Sequence, residues 1–119
     1  MIRKKELYAA LRRMGIKYLK SQYKSEWTPK RPTTGYCYVV SEVIYHYDSP
    51  EGSRPYKMKV GADEHWFIKT PRGKIIDRTA DQYNKPLDYS KGKPRNFKKK
   101  LSPRGKELAK QLKLTKKLR

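Results

Sequence analysis

The basic residues of this chain lie in two segments that flank a neutral centre. Of 119 residues, 31 are Lys or Arg and 11 are Asp or Glu, which gives a formal net charge of +20. Residues 1–32 carry +8 and residues 85–119 carry +12, whereas residues 33–84 hold seven charges of each sign. The centre is therefore where we expect a charge-balanced core, with looser ends on either side.

Aromatic residues argue against disorder. The chain has ten Tyr, two Trp and two Phe, and disordered chains are poor in such residues. Its length fits one domain, near the lower edge of the usual range of about 100–200 residues. We therefore predict a single folded domain over residues 1–90, followed by a basic connector and a C-terminal helix over residues 91–119.

The chain has one cysteine, Cys37, so it cannot form an internal disulfide. Its first residues are amphipathic and charged and lack the apolar run of a signal peptide. No stretch approaches the roughly 20 apolar residues of a membrane span. These features predict a protein of the reducing cytoplasm with no membrane partner, and they leave the oligomeric state open.

Two helices are predicted in the basic segments. Apolar residues between Ile2 and about Tyr23 recur at spacings of three and four, which predicts an amphipathic helix with a basic outer face. Near the other end, Ser102 offers an N-cap and Pro103 a first helical position, which predicts a basic helix running to the C-terminus. Residues 86–101 are rich in Gly, Pro and Lys and are predicted to be an extended connector.

The neutral centre predicts one helix and a small sheet. Apolar positions in residues 36–47 follow an i, i+1, i+4, i+5, i+8 pattern, and the length of the run favours a buried helix over a strand, the alternative that its β-branched residues suggest. Short strands are predicted at residues 56–60, 64–70 and 74–77, with a turn at residues 71–73. The fold class is therefore α+β, with an N-terminal helix and a buried Cys-bearing helix packed on a small antiparallel sheet.

Three residues of the centre form a candidate nucleophilic site: Cys37, His65 and Asp77. Cys37 lies at the predicted N-terminus of the buried helix, where the helix dipole and free backbone N–H groups favour a thiolate and could bind an oxyanion. His65 opens one strand and Asp77 ends the next. With Ile68 expected opposite Asp77, the carboxylate is offset from His65 by about three residues, so a bulge or a long side-chain reach is needed to join them.

Three motifs resemble those of papain-like and transglutaminase-like cysteine enzymes. They are Gly35-Tyr36-Cys37, His65-Trp66 and the segment from Gly73 to Gln82, which reads G-x-x-x-D-x-T-x-x-Q. The pattern is similar in particular to that of small bacterial and phage proteins. The resemblance covers roughly residues 33–84, the segment that is neutral in charge.

The resemblance implies a papain-like fold and a role for each of the three residues. Cys37 would be the nucleophile, His65 the general base and acid, and Asp77 the group that orients His65. The upstream glutamine with which such enzymes stabilise an oxyanion has no firm match, since Gln22 lies on the first predicted helix. The backbone amide of Cys37 is then the one donor that the sequence predicts.

Each residue also has a simpler interpretation. Cys37 fits a small buried apolar residue, His65 a hydrogen-bonded histidine at a sheet edge, and Asp77 a cap of the turn that follows it. No pair of Cys or His residues has the short spacing of a zinc site, so we predict no metal and no cofactor.

The basic segments predict binding to a polyanion, nucleic acid first, because each neutralised phosphate releases condensed counterions. Solubility is the alternative explanation, although a small domain needs a net charge of only about 2–8 for it. An acidic protein substrate is a further candidate partner. The residues expected to contact nucleic acid are Arg12, Arg13, Lys17, Lys20, Lys98, Lys99, Lys100, Arg104, Lys110 and Lys113.

Two functional hypotheses follow. In the first, the chain is a cysteine hydrolase or acyltransferase: the Cys37 thiolate attacks an amide or thioester-type carbonyl, His65 protonates the leaving group, and the basic segments localise the enzyme. In the second, it is a non-catalytic nucleic-acid-binding or phage virion-associated protein that retains the fold. The reactivity of the Cys37 thiol distinguishes the two.

Overall fold

The computed structural model describes residues 2–114. Within them it has the predicted α+β architecture, four α-helices and a four-stranded antiparallel sheet. The helices are α1 (Lys4–Met14), α2 (Ser21–Lys24), α3 (Cys37–Tyr47) and α4 (Pro103–Gln111). The strands are β1 (Arg54–Val60), β2 (Asp63–Lys69), β3 (Ile75–Ile76) and β4 (Lys93–Pro94), in the sheet order β3-β2-β1-β4.

Helix α3 is the central element and confirms the predicted buried helix. It packs against β2 on one side and against α4 on the other. Eight of its eleven residues are buried, among them Val39, Val40 and Val43. A helix that is apolar around most of its circumference has to be covered on several faces. The sheet and the neighbouring helices supply that cover.

Both basic segments contribute to the core, so the expectation of looser ends is wrong for the described residues. Leu7 and Leu11 of α1 lie in one apolar cluster with Leu101 and Leu108, next to and within α4. All four are nearly or fully buried, and each such side chain contributes about 1.5–3 kcal/mol. Helix α4 thus packs on α3 and helix α1 packs on α4, so that both turn their apolar faces to the core and keep their basic residues on the outside.

The first helix is shorter than predicted. It ends at Met14, and Gly15 takes φ 60° and ψ −142°, a conformation open mainly to glycine, while its N–H bonds the carbonyl oxygen of Leu11. The chain then turns and forms only the short α2. The helical spacing extended past Met14 because Tyr18, four residues further on, is half-buried and also packs against the core.

Residues 86–101 are more structured than the predicted extended connector. They contain a 3₁₀ turn, Tyr89–Lys91, and strand β4, in which Lys93 pairs with Lys57 of β1. Between these two elements Gly92 crosses the buried ring of Phe67, and a Cβ at Gly92 would lie only 2.5 Å from the Phe67 Cζ. The close approach of this backbone to the sheet therefore depends on glycine.

Helix α4 begins as predicted and is tied to α3 at its start. Ser102 Oγ accepts the N–H of Gly105 at 3.1 Å, the geometry of an N-cap. The buried Glu42 carboxylate of α3 accepts the Ser102 N–H at 2.9 Å and its hydroxyl at 2.6 Å. The helix ends at Gln111, whereas the prediction continued it to the C-terminus, because Lys113 turns the chain with φ 58°. Residues 115–119 of that prediction lie outside the described residues.

Substituting Gly105→Ala tests the contact between α3 and α4. In an exposed helix this change stabilises by about 1 kcal/mol. Here a Cβ would overlap the Glu42 carboxylate, so we expect the free energy of unfolding in urea to fall by about 1–3 kcal/mol. The control is Lys106→Ala at the next, exposed position, where a change within about 0.5 kcal/mol is expected. A stabilised Gly105→Ala variant would contradict the contact.

Candidate active site

Cys37 is the first residue of α3, as the sequence predicted. Its N-cap, Tyr36, makes no side-chain capping bond, and the N–H groups of a first helical turn have no partner within the helix. Gly35 precedes it with φ +78°, and a Cβ at Gly35 would lie 2.8 Å from the Tyr23 Cβ. This glycine therefore lets the loop pack against α2 and deliver Cys37 to the start of the helix.

A cleft of about 360 Å³ opens beside Cys37. Its walls combine aromatic rings with charged side chains: Lys20, Gln22, Tyr23, Gly35, Cys37, Tyr38, Lys57, Ala62, Asp63, Glu64, Trp66 and Arg104. A larger cavity of about 670 Å³ touches Asp77 but neither Cys37 nor His65. A substrate in the smaller cleft would therefore meet the thiol.

The register of β2 against β3 decides whether Asp77 can reach His65. Ile68 pairs with Ile76, one residue away from the predicted pairing of Ile68 with Asp77. Since opposed residues of an antiparallel pair share a face, Asp77 falls opposite Phe67 and on the same face as His65. The predicted register would have placed it on the other face. No bulge is needed, because the offset is two residues and not three.

Asp77 holds the imidazole of His65 through a short, buried hydrogen bond. His65 Nε2 lies 2.6 Å from Asp77 Oδ2, and the two side chains are 0% and 3% exposed. The hydroxyl of Tyr89 donates to the same oxygen at 2.7 Å, and the Thr79 N–H donates to Oδ1 at 3.1 Å. Both carboxylate oxygens are therefore engaged, which fixes the orientation of the carboxylate.

The surroundings of His65 favour its charged form. Burial works against the charge, but the hydrogen bond with Asp77 and the influence of the nearby Asp77 and Cys37 groups outweigh it, and together they raise the pKa of His65 to about 9. Burial and the bond to Asp77 also raise the pKa of Tyr89. The Tyr89 hydroxyl therefore remains a donor to the carboxylate.

Gln82 fixes which nitrogen of His65 carries the proton in the neutral ring. Its Oε1 accepts the backbone N–H of Gly35 at 3.2 Å, so its Nε2 must be the atom 3.4 Å from His65 Nδ1. An amide nitrogen only donates, so Nδ1 is the acceptor in this contact and Nε2–H faces Asp77. Gln82 thereby links the loop before Cys37 to the imidazole.

The Cys37 thiol faces the first residues of β2. Its sulfur lies 3.6 Å from the carbonyl oxygen of Glu64, to which the thiol donates, and Glu64 directly precedes His65 in the strand. Cys37 is also among the groups that raise the pKa of His65. The three residues singled out in the sequence thus lie together at one end of α3.

Sequence reasoning gave no part in the Cys37 site to three residues that shape it: Thr79, Gln82 and Tyr89. Thr79 and Gln82 belong to the D-x-T-x-x-Q motif, and the 3₁₀ turn Ala80–Gln82 explains the spacing, because it carries Gln82 back toward His65. Tyr89 lies outside the motif, in the segment predicted to be a connector. No local sequence signal could have found it.

The predicted nucleic-acid contacts are distributed over several elements. All ten are exposed except Arg104, which is half-buried. Its guanidinium donates to the Tyr18 carbonyl oxygen at 3.3 Å and lines the Cys37 cleft. Arg13 bonds both the side chain and the backbone oxygen of Gln111, and so joins α1 to α4. These two arginines therefore have structural contacts of their own.

Two further properties concern the described residues as a whole. From residue 2 to residue 114 no helix is long and apolar enough to cross a membrane. Over the same span, no three His, Cys, Asp or Glu residues cluster as metal ligands would.

Together the fold and the site define an α+β protein with a Cys, a His and an Asp gathered at the N-terminus of a buried helix, beside a cleft. The family model described as YunG protein matches residues 3–118. The chain therefore belongs to the YunG protein family, and the match includes both basic segments as well as the neutral centre. The description of this family names neither papain-like nor transglutaminase-like enzymes. No curated protein and no solved structure gives a significant match.

The raised pKa of His65 predicts a pH-dependent stability. Because this pKa, about 9, lies above the ordinary value of 6.5, protonation of His65 stabilises the fold fully below about pH 6.5, and this contribution is lost as the pH rises through about 9. In Asp77→Asn the pKa of His65 should fall by about one pH unit or more, which corresponds to about 1.4 kcal/mol. Imidazole titration by NMR and urea unfolding at several pH values measure both effects.

The matched control is Glu51→Gln, which makes the same change in charge at an exposed position. We expect its His65 titration to match that of the unmodified chain. A His65 that titrates near 6.5 in the unmodified chain, or identically in the Asp77→Asn variant, would contradict the described geometry.

Proposed function

We propose that this protein is a papain-like cysteine hydrolase or acyltransferase acting on an amide or thioester-type carbonyl. The observation that carries the proposal is the buried 2.6 Å contact between His65 and Asp77, beside a cysteine at a helix N-terminus and a cleft. If Cys37 were only a buried apolar residue and Asp77 only a turn cap, nothing would require the Asp77 carboxylate to hold the His65 imidazole beside the start of α3. In this arrangement Cys37 can act as the nucleophile, His65 as the base and Asp77 as the group that orients His65.

The nucleophile forms by proton transfer from Cys37 to His65. With Nε2–H facing Asp77, Nδ1 of the neutral ring is the basic atom, and it takes the thiol proton as its 3.4 Å contact with the Gln82 amide opens. The resulting imidazolium is stabilised by Asp77, and the thiolate by the imidazolium and by the N-terminus of α3. Both charges therefore form in a site that already favours a protonated His65.

In the first half of the reaction the Cys37 sulfur bonds to the carbonyl carbon. The carbonyl oxygen gains a negative charge, which the free N–H groups at the start of α3 can stabilise. Gln22 lies on α2 and lines the cleft, so its amide offers a second donor from upstream, the position where papain-like enzymes carry one. His65 then gives its proton to the leaving nitrogen or sulfur as the bond to carbon breaks, and a thioester remains on Cys37.

In the second half, water or another nucleophile attacks the thioester while His65 takes its proton. The carbon–sulfur bond breaks, and the proton from His65 returns to the Cys37 sulfur. Water as acceptor makes the protein a hydrolase, and an amine, alcohol or thiol makes it an acyltransferase.

Alkylation of Cys37 with iodoacetamide tests the nucleophile, because Cys37 is the one cysteine of the chain. A free thiol has a pKa of about 8.5 and is almost unreactive at pH 6. We expect labelling of the folded protein at pH 6, followed by mass spectrometry, to be at least tenfold faster than labelling of free cysteine. His65→Gln should remove that advantage.

The control is His46→Gln, at the other histidine of the chain, which is also buried. Labelling of this variant at pH 6 should stay within about twofold of the unmodified rate. If the folded protein is labelled at pH 6 no faster than free cysteine, Cys37 is not an activated nucleophile, and the second hypothesis of a nucleic-acid-binding protein without activity is the better one.

We also propose that the basic segments hold the protein on nucleic acid. Nine of the ten predicted contact residues are exposed, which supports the proposal. Deleting residues 91–119 would be an unsuitable test, because Leu101 and Leu108 belong to the core. Point substitutions leave the core intact.

Gel retardation should show binding to duplex and single-stranded DNA with little sequence preference and a steep loss of affinity with salt. Replacing Lys98, Lys99 and Lys100 by Gln should reduce the slope of log affinity against log salt by up to about three. The control variant replaces the exposed Arg54, Arg72 and Lys74 of the centre, with the same loss of charge. Equal effects of the two variants, or affinity independent of salt, would contradict a specific role of the basic segments.

A further inference from the structure

A second groove, of about 370 Å³, adjoins the Cys37 cleft and carries a strong excess of positive charge. It is lined by Lys57, Met58, Lys59, Glu64, Lys91, Lys93 and Arg95. Five of these residues are basic and one is acidic. Lys57 and Glu64 line both spaces, so the groove and the cleft adjoin at this pair. We call this space the basic groove.

The sheet register places the charges of the basic groove on one face. Lys57 pairs with Lys93 across β1 and β4, and Lys59 pairs with Glu64 across β1 and β2. Directly opposed residues share a face, and so do residues two apart along a strand. This is the face of Trp66 and Ile68, on which α3 packs. The basic groove therefore continues the surface that leads to Cys37.

The positive charges of the basic groove are only partly compensated. Glu64 is neutralised by an ion pair with Lys57, and that pair, with Lys59 and Arg95 nearby, lowers the pKa of Glu64. Lys57 and Lys93 nevertheless oppose each other directly in the ladder, an arrangement that destabilises a sheet. An anionic ligand over β1 and β4 would relieve this repulsion.

The dimensions of the basic groove fit an extended polypeptide. Glu64 of β2 bonds the Cys37 thiol through its backbone oxygen, and β4 lies two strands away, about 10 Å at the usual strand spacing. An extended peptide covers that distance in about three residues. A carboxylate about three residues from the reacting carbonyl would therefore come within reach of the Lys93 side chain.

The lining also favours a peptide over a nucleic acid. Sites for single-stranded nucleic acids combine basic side chains with aromatic rings on which bases stack. The basic groove has four aliphatic cations, one guanidinium, a methionine and a carboxylate, and none of its lining residues is aromatic. It can thus pair with carboxylates but offers no platform for bases.

We infer that the basic groove is a substrate subsite for acidic side chains of a polypeptide, located about three residues from the carbonyl that Cys37 attacks. The position of the peptide relative to Cys37 rests on the proposed function, because it assumes that Cys37 attacks a carbonyl group of the same peptide. Binding of an acidic peptide to the groove, however, requires no catalysis. The two can therefore be tested separately.

The test uses the full chain with Cys37→Ser and a fluorescein-labelled hexaglutamate peptide, with binding followed by fluorescence anisotropy. Lys59→Gln together with Lys93→Gln removes two exposed charges from the groove. We expect this double variant to bind hexaglutamate about five- to tenfold more weakly than the chain with both lysines. The affinities are measured at moderate salt, where long-range attraction between charges is screened. A hexaglutamine peptide should not bind.

The matched control, Lys30→Gln with Lys85→Gln, removes two exposed charges elsewhere and should change the affinity less than twofold. Equal weakening by both double variants, or no binding of hexaglutamate at all, overturns the inference. The inference is also overturned if binding of a labelled oligothymidylate depends on Lys59 and Lys93 while binding of hexaglutamate does not. NMR spectra of each variant confirm that it is folded.

Failure of the proposed function gives a different result. If Cys37 is unreactive at pH 6 while hexaglutamate still requires Lys59 and Lys93, the groove is an acidic-peptide site on a protein without cysteine chemistry. If Cys37 is reactive and hexaglutamate does not bind, the nucleophile stands and the subsite is wrong.

Discussion

Helix α3 is apolar on most of its surface, and its burial is the constraint from which the rest of the structure follows. The sheet covers it from one side and α4 from another, and α1 extends the same apolar cluster by packing on α4. A domain of this size has few apolar residues to spare, so the amphipathic faces of the basic segments are needed in the core. The same burial holds the helix N-terminus, and with it Cys37, in a fixed position against β2.

Several buried polar groups in this protein are satisfied in linked sets, and these sets join distant parts of the chain. The Glu42 carboxylate connects α3 to the start of α4. Asp77 binds His65 and Tyr89, while Gln82 connects His65 to the loop before Cys37. An unpaired carboxylate or imidazole at such depth would be costly. The site is therefore as much a set of cross-links in the fold as a set of reactive groups.

The charge of the protein has two distinct arrangements in space. Most of the basic side chains of the flanking segments lie on the outside of helices and turns, where they create a broad positive surface. The basic groove is different, because β-strand pairing forces lysines of β1 and β4 to face each other beside the cleft. The first arrangement supports general attraction to polyanions, and the second supports recognition at a defined distance from Cys37.

The sequence by itself determined the central elements and pointed to three candidate site residues. Helical spacing found α3, alternation found β1 and β2, and the motif spacing singled out Cys37, His65 and Asp77, because these signals act over a few neighbouring residues. The two basic segments were harder to interpret. A glycine ended the first helix earlier than its periodicity suggested, and β4 was hidden in a segment with the composition of a linker.

Only the tertiary structure decided how these parts meet. A shift of one residue in the pairing of β2 with β3 moves Asp77 from the opposite face of the sheet to the side of His65, and turn composition does not fix such a shift. Tyr89 reaches Asp77, and Lys93 reaches Lys57, through contacts between segments far apart in sequence. Such contacts depend on the packing of the whole chain, since they arise only when α3 is buried and the sheet is complete.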